Sequence, residues 1–411
     1  MEIIEKPIIV ILGGNRYNLP SVQNLKDNGF YTIVIDKAPN SPCFQIADTF
    51  FVIDILDYDT IIETLLKFGE IDGVVSMAEV GIIPAAKITK YFHLKGQSET
   101  VALNVTDKGK MRDCWIKIPQ HSVNFAIVNT LEDGEQALTN FHFPVIIKPT
   151  NSFGGSRGVM LIHSSEEFSD AFTNAKSGGN VNTEVLIEEA VVGREFSAEV
   201  LIKNDKTSVL CIGEKSKSDF PYRVDISVMY PAQLDNVIEI KIHKAISLAI
   251  QAVELKWGVA HIEFCLTKNN EIIFFELGAR CGGGHTSLIT KHVSGVDEFV
   301  EYCRMACGLQ SLSFYPVYQK SAIYRFVIFD EGEVSEIIFP EEFKNDIRIL
   351  DYEISVKKGD VIRPLIDTSA RSGFFITLAD EYQNALQLAN DICQRIVIKY
   401  TNKIEKNARI S

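Results

Sequence analysis

The stretch HIEFCLTKNNEIIFFELGAR, residues 261–280, decides the fold because it has the pattern of two strands joined by a tight turn. Apolar residues alternate with other residues on both sides of Asn269-Asn270, and asparagine tolerates the left-handed backbone that a two-residue hairpin turn requires. The pattern therefore predicts a β-hairpin with one face towards a core. That face consists of Ile262, Phe264, Leu266, Ile273, Phe275 and Leu277.

The same turn determines which side chains meet across the hairpin. It places Cys265 opposite Phe274 and Glu263 opposite Glu276, with Arg280 four residues later on the same side. Directly opposed residues have Cβ atoms roughly 4.5–5.5 Å apart, so two carboxylates in these positions repel each other. Three interpretations remain open: a divalent cation held between the carboxylates, a proton that they share, or a solvent-exposed sheet face. We favour the cation, since it removes the repulsion.

The region before the hairpin alternates between strands and helices. Strands are predicted at 8–12, 31–35 and 73–76, and helices at 21–28, 57–68 and 83–91. This order indicates a doubly wound parallel sheet. One helix over 104–115 leads out of that sheet, and later strands in hairpin order indicate antiparallel sheets. The predicted fold class is thus α/β followed by α+β.

The composition limits the class of partner. The chain has 411 residues and a formal net charge of −13. This acidic balance argues against binding of nucleic acid or an anionic membrane, and no apolar run is long enough to span a membrane. The eight cysteines form no CxxC motif, and no signal peptide is recognisable, so we expect a cytoplasmic protein with free thiols.

A second candidate site is a glycine-rich segment, residues 150–158, which follows a buried strand ending at Lys148. Its backbone N–H groups can approach phosphate oxygens closely, although a flexible hairpin has the same composition. No Gly-Lys-Ser/Thr follows the glycines, so the segment is not a Walker A loop. The N-terminal strand is not followed by GxGxxG, which argues against a dinucleotide site.

Taken in order, these segments resemble the motifs of the ATP-grasp superfamily over nearly the whole chain. The similar segments are 103–112, 143–149 with 154–159, 185–190, 193–197, and Glu263 with 276–280. The resemblance implies a carboxylate–amine ligase in four parts. These are an N-terminal α/β domain (1–104), a small ATP-grasp subdomain with the glycine-rich lid (105–190), a large subdomain with the metal site (191–308) and a C-terminal α/β segment packed on it (309–411).

The resemblance also implies roles for single residues. ATP would be bound by Lys108, Lys148, Gly154, Gly155, Ser156, Glu188, Ala190, Glu195 and Lys215. Within this set, Glu188 and the Ala190 backbone would meet the adenine, and Glu195 the ribose. Glu263 and Glu276 would hold Mg²⁺, or Mn²⁺ in its place. Glu276 and Arg280 would act in the phosphoryl transfer step.

One position departs from the superfamily pattern. Many members have an asparagine two residues after the second glutamate, where this chain has Gly278. Mg²⁺ commonly keeps several waters, so phosphate oxygens and waters can complete its coordination. Substrate contacts are expected from Gly283, His285 and Arg371, although a loop before a helix and a surface ion pair also explain these residues.

The resemblance is closest to amino-acid and dipeptide ligases, so small-molecule carboxylates and amines are the expected substrates. A purine-pathway or carbamoyl-phosphate-like enzyme is the alternative within the superfamily. Biotin-dependent carboxylation is disfavoured because no Met-Lys-Met segment occurs. An ATP-binding regulator without ligase activity is the alternative of another class, and a homodimer remains open.

Overall fold

The N-terminal part of the computed structural model is a parallel sheet between helices; the structure describes residues 6–152, 157–180, 182–219, 222–401 and 403–407. The elements are β1 (Ile8–Leu12), α1 (Leu19–Asp27), β2 (Tyr31–Asp36), β3 (Thr49–Val52), α2 (Tyr58–Phe68), β4 (Gly73–Ser76) and α3 (Ile82–Tyr91). The strand order is β3-β2-β1-β4, with all pairs parallel. The predicted parallel α/β architecture is confirmed.

Two helices, rather than one, lead out of this sheet. They are α4 (Glu99–Thr106) and α5 (Lys108–Trp115), so the single helix predicted over 104–115 is wrong. Asp107 between them has an extended backbone (φ −106°, ψ 117°), and its side chain accepts a hydrogen bond from the Lys110 N–H. An aspartate that caps a new helix in this way satisfies an N–H group that otherwise lacks a partner.

A small antiparallel sheet follows. Its elements are β5 (Phe125–Val128), α6 (Leu131–Leu138), β6 (Val145–Pro149), β7 (Met160–Ile162), α7 (Phe168–Gly178) and β8 (Val185–Glu189). The order β5-β8-β6-β7 makes β6 and β8 neighbours, with Lys148 opposite Leu186. The predicted phosphate contacts Gly154, Gly155 and Ser156 lie outside the described residues.

The largest sheet is antiparallel and begins after β8. Its first half and the helices that follow are β9 (Gly193–Lys203), β10 (Lys206–Lys217), β11 (Asp225–Tyr230), α8 (Asn236–Ala252), β12 (Gly258–Thr267), β13 (Ile272–Gly278), α9 (Thr286–Ser294) and α10 (Glu298–Ala306). Helix α8 buries Ile242, Ile246 and Ala249 against this sheet in one core, which also contains Trp115.

The C-terminal part extends the same sheet. It contains β14 (Ser321–Val327), β15 (Gly332–Ile338), α11 (Glu341–Lys344), β16 (Ile349–Ile354), β17 (Val361–Ile362), β18 (Gly373–Ala379), α12 (Tyr382–Arg395), β19 (Val397–Tyr400) and β20 (Lys403–Asn407). The large sheet has the order β13-β12-β9-β10-β11-β14-β18-β16, and a smaller sheet has the order β17-β15-β19-β20. Three strands from 309–411 are therefore continuous with the large sheet.

The predicted hairpin is present as β12 and β13, and Glu263 is paired with Glu276. Its turn is one residue longer than predicted, because the Thr267 N–H bonds to the Glu271 carbonyl and Asn270 has φ 59°. A bulge at Phe275 restores the register, so Cys265 faces Ile273 rather than Phe274. The prediction that Ile273 and Phe275 face the core is wrong: Ile272 and Phe274 are buried there instead.

In the described part of the chain, none of the helices combines the length and the apolar character that a membrane crossing needs.

Candidate active site

One cavity of about 1010 Å³ opens between the small sheet, the large sheet and the N-terminal part. Most of the residues singled out from the sequence line it: Lys108, Lys148, Glu188, Ala190, Glu195, Lys215, Glu263, Glu276, Arg280, Gly283 and Arg371. They come from widely separated segments, and the fold brings them to one space. His285 is not part of this lining, because its side chain is buried against Tyr17, Tyr324 and Phe374.

The paired carboxylates face the cavity, and each is bound to a lysine. Glu263 Oε1 lies 2.6 Å from the Lys215 ammonium, and Glu276 Oε1 lies 3.1 Å from the Lys108 ammonium. Burial alone would raise the pKa of both carboxyl groups, but Lys215 and Lys108 lower these pKa values below the ordinary one. Both groups are therefore charged at neutral pH, which argues against a shared proton. Their position inside a cavity argues against a plain exposed face.

This carboxylate pair suits Mg²⁺ chemically. The Lys215 and Lys108 ammonium groups lie beside its oxygens and balance its negative charge. A divalent cation could replace them in this role, with phosphate oxygens as its further ligands. Nowhere in the described ranges do three or more His, Cys, Asp or Glu side chains converge as a complete metal site. With Gly278 in the third position, two protein carboxylates would be joined by waters and phosphate oxygens.

His261 supports the carboxylate pair from β12. Its Nδ1 lies 2.5 Å from Glu199 Oε1, and its Nε2 lies 3.3 Å from Glu263 Oε1. Burial would lower the pKa of His261, but Glu199 and Glu263 raise it to about 9. This charged histidine stabilises the fold fully below its ordinary pKa near 6.5, and the contribution is lost as pH rises through about 9. Its role in this geometry is to hold Glu263 in place.

Glu188 lies in a buried ion triad where the small sheet lines the cavity. Its carboxylate contacts the Arg112 guanidinium and lies 2.6 Å from the Lys148 ammonium. Arg112 also donates from Nη1 to the Phe274 carbonyl at 2.7 Å. The three side chains are almost fully buried. The carboxylate predicted to meet adenine therefore holds the two cations, and the Ala190 N–H donates to the Pro144 carbonyl.

Arg112 was not identified as a site residue from the sequence. It lies four residues after Lys108 on α5, so both side chains share one helix face. The i, i+4 spacing from Lys108 could have identified Arg112 as a site residue. The resemblance of residues 103–112 to the superfamily motif implied a role only for Lys108, so Arg112 was not singled out. Its guanidinium lies over the Trp115 ring of the same helix and donates to the Phe274 carbonyl of β13. The second of these contacts joins segments far apart in the sequence, and it buries the charge.

We expect Glu188→Gln to reduce the free energy of unfolding by about 3–5 kcal/mol, because it leaves Arg112 and Lys148 buried without a counter-charge. Arg112 and Lys148 lower the pKa of Glu188 to about 2, although burial raises it. The stabilisation is therefore present above the ordinary pKa and is lost as pH falls from about 4.5 towards 2. Denaturant unfolding at several pH values measures it.

The control for this prediction is Glu184→Gln, an exposed glutamate next to the same strand. It should leave the free energy of unfolding within about 0.5 kcal/mol of the starting value. A Glu188→Gln variant with normal stability and a large increase in the KM for ATP would instead indicate direct contact with the adenine.

A second group of ions surrounds Glu195 in the cavity lining. Lys217 lies 3.0 Å from one of its oxygens and Arg223 lies 2.7 Å from the other. Burial alone would lower the pKa of Lys217, but Asp225 and Glu195 raise it above its ordinary value. Lys217 is two residues after Lys215 on β10, so both point to the same side, a spacing that could have identified it from the sequence.

Two arginines held in fixed orientations also line the cavity. Arg280 Nε donates to Glu79 at 2.7 Å, and its Nη1 donates to the Cys281 carbonyl at 2.9 Å. Arg371 donates to the Asp225 carbonyl at 2.7 and 3.1 Å and lies 3.5 Å above the Phe326 ring. Other lining residues are Tyr17, Tyr324, Phe326, Glu353 and Phe374. These residues were not predicted.

Comparison with known proteins matches two parts of the chain to described families. Residues 141–289 match the ATP-grasp domain, and residues 325–401 match the L-amino acid ligase C-terminal domain 2. The first range includes the carboxylate pair and the glycine-rich segment. The second includes Arg371 and the C-terminal strands of the large sheet.

Individual relatives are more distant but extend over most of the chain. The L-arginine-specific L-amino acid ligase of Bacillus subtilis is 22% identical over 370 residues, which is 86% of this chain and 88% of that protein. The formate-dependent phosphoribosylglycinamide formyltransferase of Prochlorococcus marinus (strain MIT 9515) is 28% identical over 322 residues, 75% and 78% of the two chains. The crystal structure of the L-amino acid ligase from Bacillus licheniformis has a TM-score of 0.83, with 22% identity over 97% of this chain and 99% of that one.

Proposed function

Since residues 141–289 form an ATP-grasp domain and residues 325–401 form the C-terminal domain of L-amino acid ligases, we propose that this chain is an ATP-dependent carboxylate–amine ligase. Its product would be an amide that joins an amino acid to a second amino acid or a small amine. The observation that carries this proposal is that a carboxylate pair, lysines and two fixed arginines face the same cavity.

The nucleotide would occupy the end of the cavity between the two sheets. Lys148 is buried there, the Lys108 side chain is 13% exposed, and both are cations suited to the phosphates of ATP. Apolar residues of the small sheet and β13 form the walls on either side, among them Ile146, Leu161 and Phe275. Such a slot fits a flat base, and the bulge in β13 is what turns Phe275 towards it.

Mg²⁺ bound by Glu263 and Glu276 would neutralise charge on the phosphates during transfer. When the nucleotide and the metal bind, Lys215 and Lys108 would leave the two carboxylates and bind phosphate oxygens instead. Because the charges are exchanged rather than newly buried, this step avoids the large cost of an unpaired charge in the interior.

The reaction first joins the substrate carboxylate to the terminal phosphoryl group of ATP, and the amide forms in a second step. An oxygen of the substrate carboxylate attacks the terminal phosphorus of ATP, which forms an acyl phosphate and releases ADP. Arg280 is held by Glu79 and the Cys281 carbonyl in a fixed orientation, so it can stabilise the transferred group without reorganising. The amine then attacks the acyl carbon, the C–O bond breaks, and inorganic phosphate leaves with the oxygen that came from the carboxylate.

Lys148→Ala should raise the KM for ATP at least about tenfold with a smaller effect on kcat, because one buried phosphate contact is lost in ground and transition states alike. Steady-state phosphate release at varied ATP concentration measures both constants. Lys110→Ala, an exposed lysine on α5, is the matched control and should change neither. An unchanged KM in Lys148→Ala would refute the phosphate role.

The amino-acid ligase assignment is better supported than the purine-pathway alternative, because the C-terminal match is to the L-amino acid ligases. The aromatic wall formed by Tyr17, Tyr324, Phe326 and Phe374 also suits an organic side chain. A cytoplasmic location and a homodimer stay predictions from the sequence.

A phosphate-release screen tests the function. The full chain would be mixed with Mg²⁺, ATP and amino acids, singly and in pairs. A ligase releases phosphate and ADP only with particular pairs and forms one amide per ATP consumed. If no pair supports release, the chain is not such a ligase, and an ATP-binding regulator becomes the better description.

A further inference from the structure

A small side pocket of about 50 Å³ adjoins the active-site cavity on its N-terminal side. It shares three lining residues with the main cavity, namely Tyr17, Gly283 and Gly284. We name it the Asn18 pocket, and its other polar side chains are Asn15, Asn18, Ser21, Ser76 and Ser287. Since a water in the liquid occupies about 30 Å³, the pocket has room for one or two waters or for a small group such as a carboxylate.

Asn18 has an unused hydrogen-bond donor in this pocket. The residue is 7% exposed, and its buried side-chain Nδ2 has no partner in the described part of the chain. Asn18 is the N-cap residue of α1, where asparagine normally accepts a bond from the first helical turn, yet its side chain makes no such bond. Buried amide donors are normally paired, so a ligand or water acceptor is expected here.

The electrostatics of the Asn18 pocket favour a negatively charged group. Ser21 lies in the first turn of α1 and Ser287 in the first turn of α9, so two helix N-termini adjoin the pocket. The N–H groups at a helix start lack intrahelical partners and have partial positive charge. At α1 the Leu19 N–H donates to the Arg16 carbonyl and Pro20 has no N–H, so its contribution comes from the helix dipole and from the residues that begin at Ser21. None of the residues that form the described lining has an ionised side chain. The nearby Glu199 carboxylate, which accepts from the Gly282 N–H at 3.0 Å, is paired with His261.

The position of the pocket indicates which group it would bind. Gly283, three residues after Arg280, lines both cavities, and a Cβ atom placed on it would meet no atom within 4 Å. A substrate bound there can therefore extend past this glycine without obstruction. The activated carboxylate has to meet Arg280 and the phosphates in the main cavity, which leaves the side pocket for the other substrate.

We propose that the Asn18 pocket binds the carboxylate of the amine-bearing substrate, which makes that substrate an amino acid rather than a simple amine. This inference rests on the proposed function, because it assumes an amine that attacks an activated carboxylate. Asn18 Nδ2 donates to one carboxylate oxygen, and the two helix N-termini stabilise its charge. The product keeps this carboxylate free.

Asn18→Asp tests the proposal with an isosteric change. Aspartate is as good an N-cap as asparagine, so α1 should remain folded, while the donor is replaced by a negative charge that repels a carboxylate. We expect the KM of the amine-bearing substrate to rise at least about tenfold, with the KM for ATP and for the activated substrate changing less than about twofold. Asn140→Asp, on an exposed turn, adds the same charge elsewhere and should change none of them.

A binding measurement separates this proposal from the proposed function. The melting temperature of the full chain with Mg²⁺ and ADP would be recorded with each standard L-amino acid and with the matching carboxamide, at millimolar concentration. At least one amino acid should raise it while the carboxamide does not, and Asn18→Asp should lose this shift. Equal shifts with acid and carboxamide, no shift with any amino acid, or a normal shift in Asn18→Asp would each overturn the proposal.

Phosphate release in the same samples tests the proposed ligase function. An acid-selective shift without any phosphate release would contradict the ligase function and leave the carboxylate pocket intact. Release with normal kinetics in Asn18→Asp would support the ligase and reject the pocket.

Discussion

Replacing Glu276 with glutamine should reduce carboxylate-dependent ATP turnover roughly 10²–10³-fold while the protein stays folded. Glu276 and Glu263 are opposed on the hairpin and face the cavity together, so the amide removes half of the protein's charge for Mg²⁺. Glutamine has the same shape, and the lost partner is the Lys108 ammonium at 3.1 Å. The Glu276 side chain is one-third exposed, so the loss of this pair should change stability by less than about 1 kcal/mol.

Turnover at varied Mg²⁺ concentration is the measurement for this variant. Glu271→Gln on the same hairpin is the control, because Glu271 lies at the exposed turn and away from the cavity. It should behave like the unchanged protein. Near-normal turnover in Glu276→Gln, with ordinary dependence on Mg²⁺, would remove the metal hypothesis.

Arg280→Ala should lower kcat by a similar factor, roughly 10²–10³, with a smaller change in the KM for ATP. Arg280 is oriented by Glu79 and the Cys281 carbonyl, so its charge is in place before the transferred group becomes more negative. The alanine variant loses this charge and also leaves Glu79 unpaired beside the reacting anions. Both effects act in the same direction.

A double-mutant cycle separates the two effects. Glu79→Ala in the Arg280→Ala background should recover the part of the loss that comes from the unpaired carboxylate, and the remainder reports Arg280 itself. Arg348→Ala removes an exposed arginine paired with Asp346 and should leave kcat unchanged. Equal kcat in Arg280→Ala and the unchanged protein would exclude a role in phosphoryl transfer.

Local patterns in the sequence predicted much of the architecture. The alternating elements gave the parallel N-terminal sheet, and the hairpin pattern gave the Glu263–Glu276 pair in the correct register at that point. The pair was found although the turn was wrong, because the longer turn and the bulge at Phe275 compensate each other. Their joint effect is confined to the residues between the turn and the bulge, where Ile272 and Phe274 take the core positions predicted for Ile273 and Phe275. Phe275 faces the cavity instead.

Contacts between distant segments could not be predicted from local sequence patterns. Glu188 was assigned to adenine from its motif, but its charge is balanced by Arg112, 76 residues earlier in the chain. His285 was expected near the substrate, yet aromatic residues from the N-terminal part and from two strands of the large sheet bury it. Such partners depend on how the sheets pack, and no periodicity within one segment encodes that.

The most direct test of an acyl phosphate is the fate of the carboxylate oxygens. A substrate pair found by phosphate release would be supplied with ¹⁸O in the carboxylate that becomes the amide, and the released phosphate would be analysed by mass spectrometry. The proposed chemistry transfers one labelled oxygen to each phosphate released, with ADP as the second product. Unlabelled phosphate, or AMP with pyrophosphate, would contradict it.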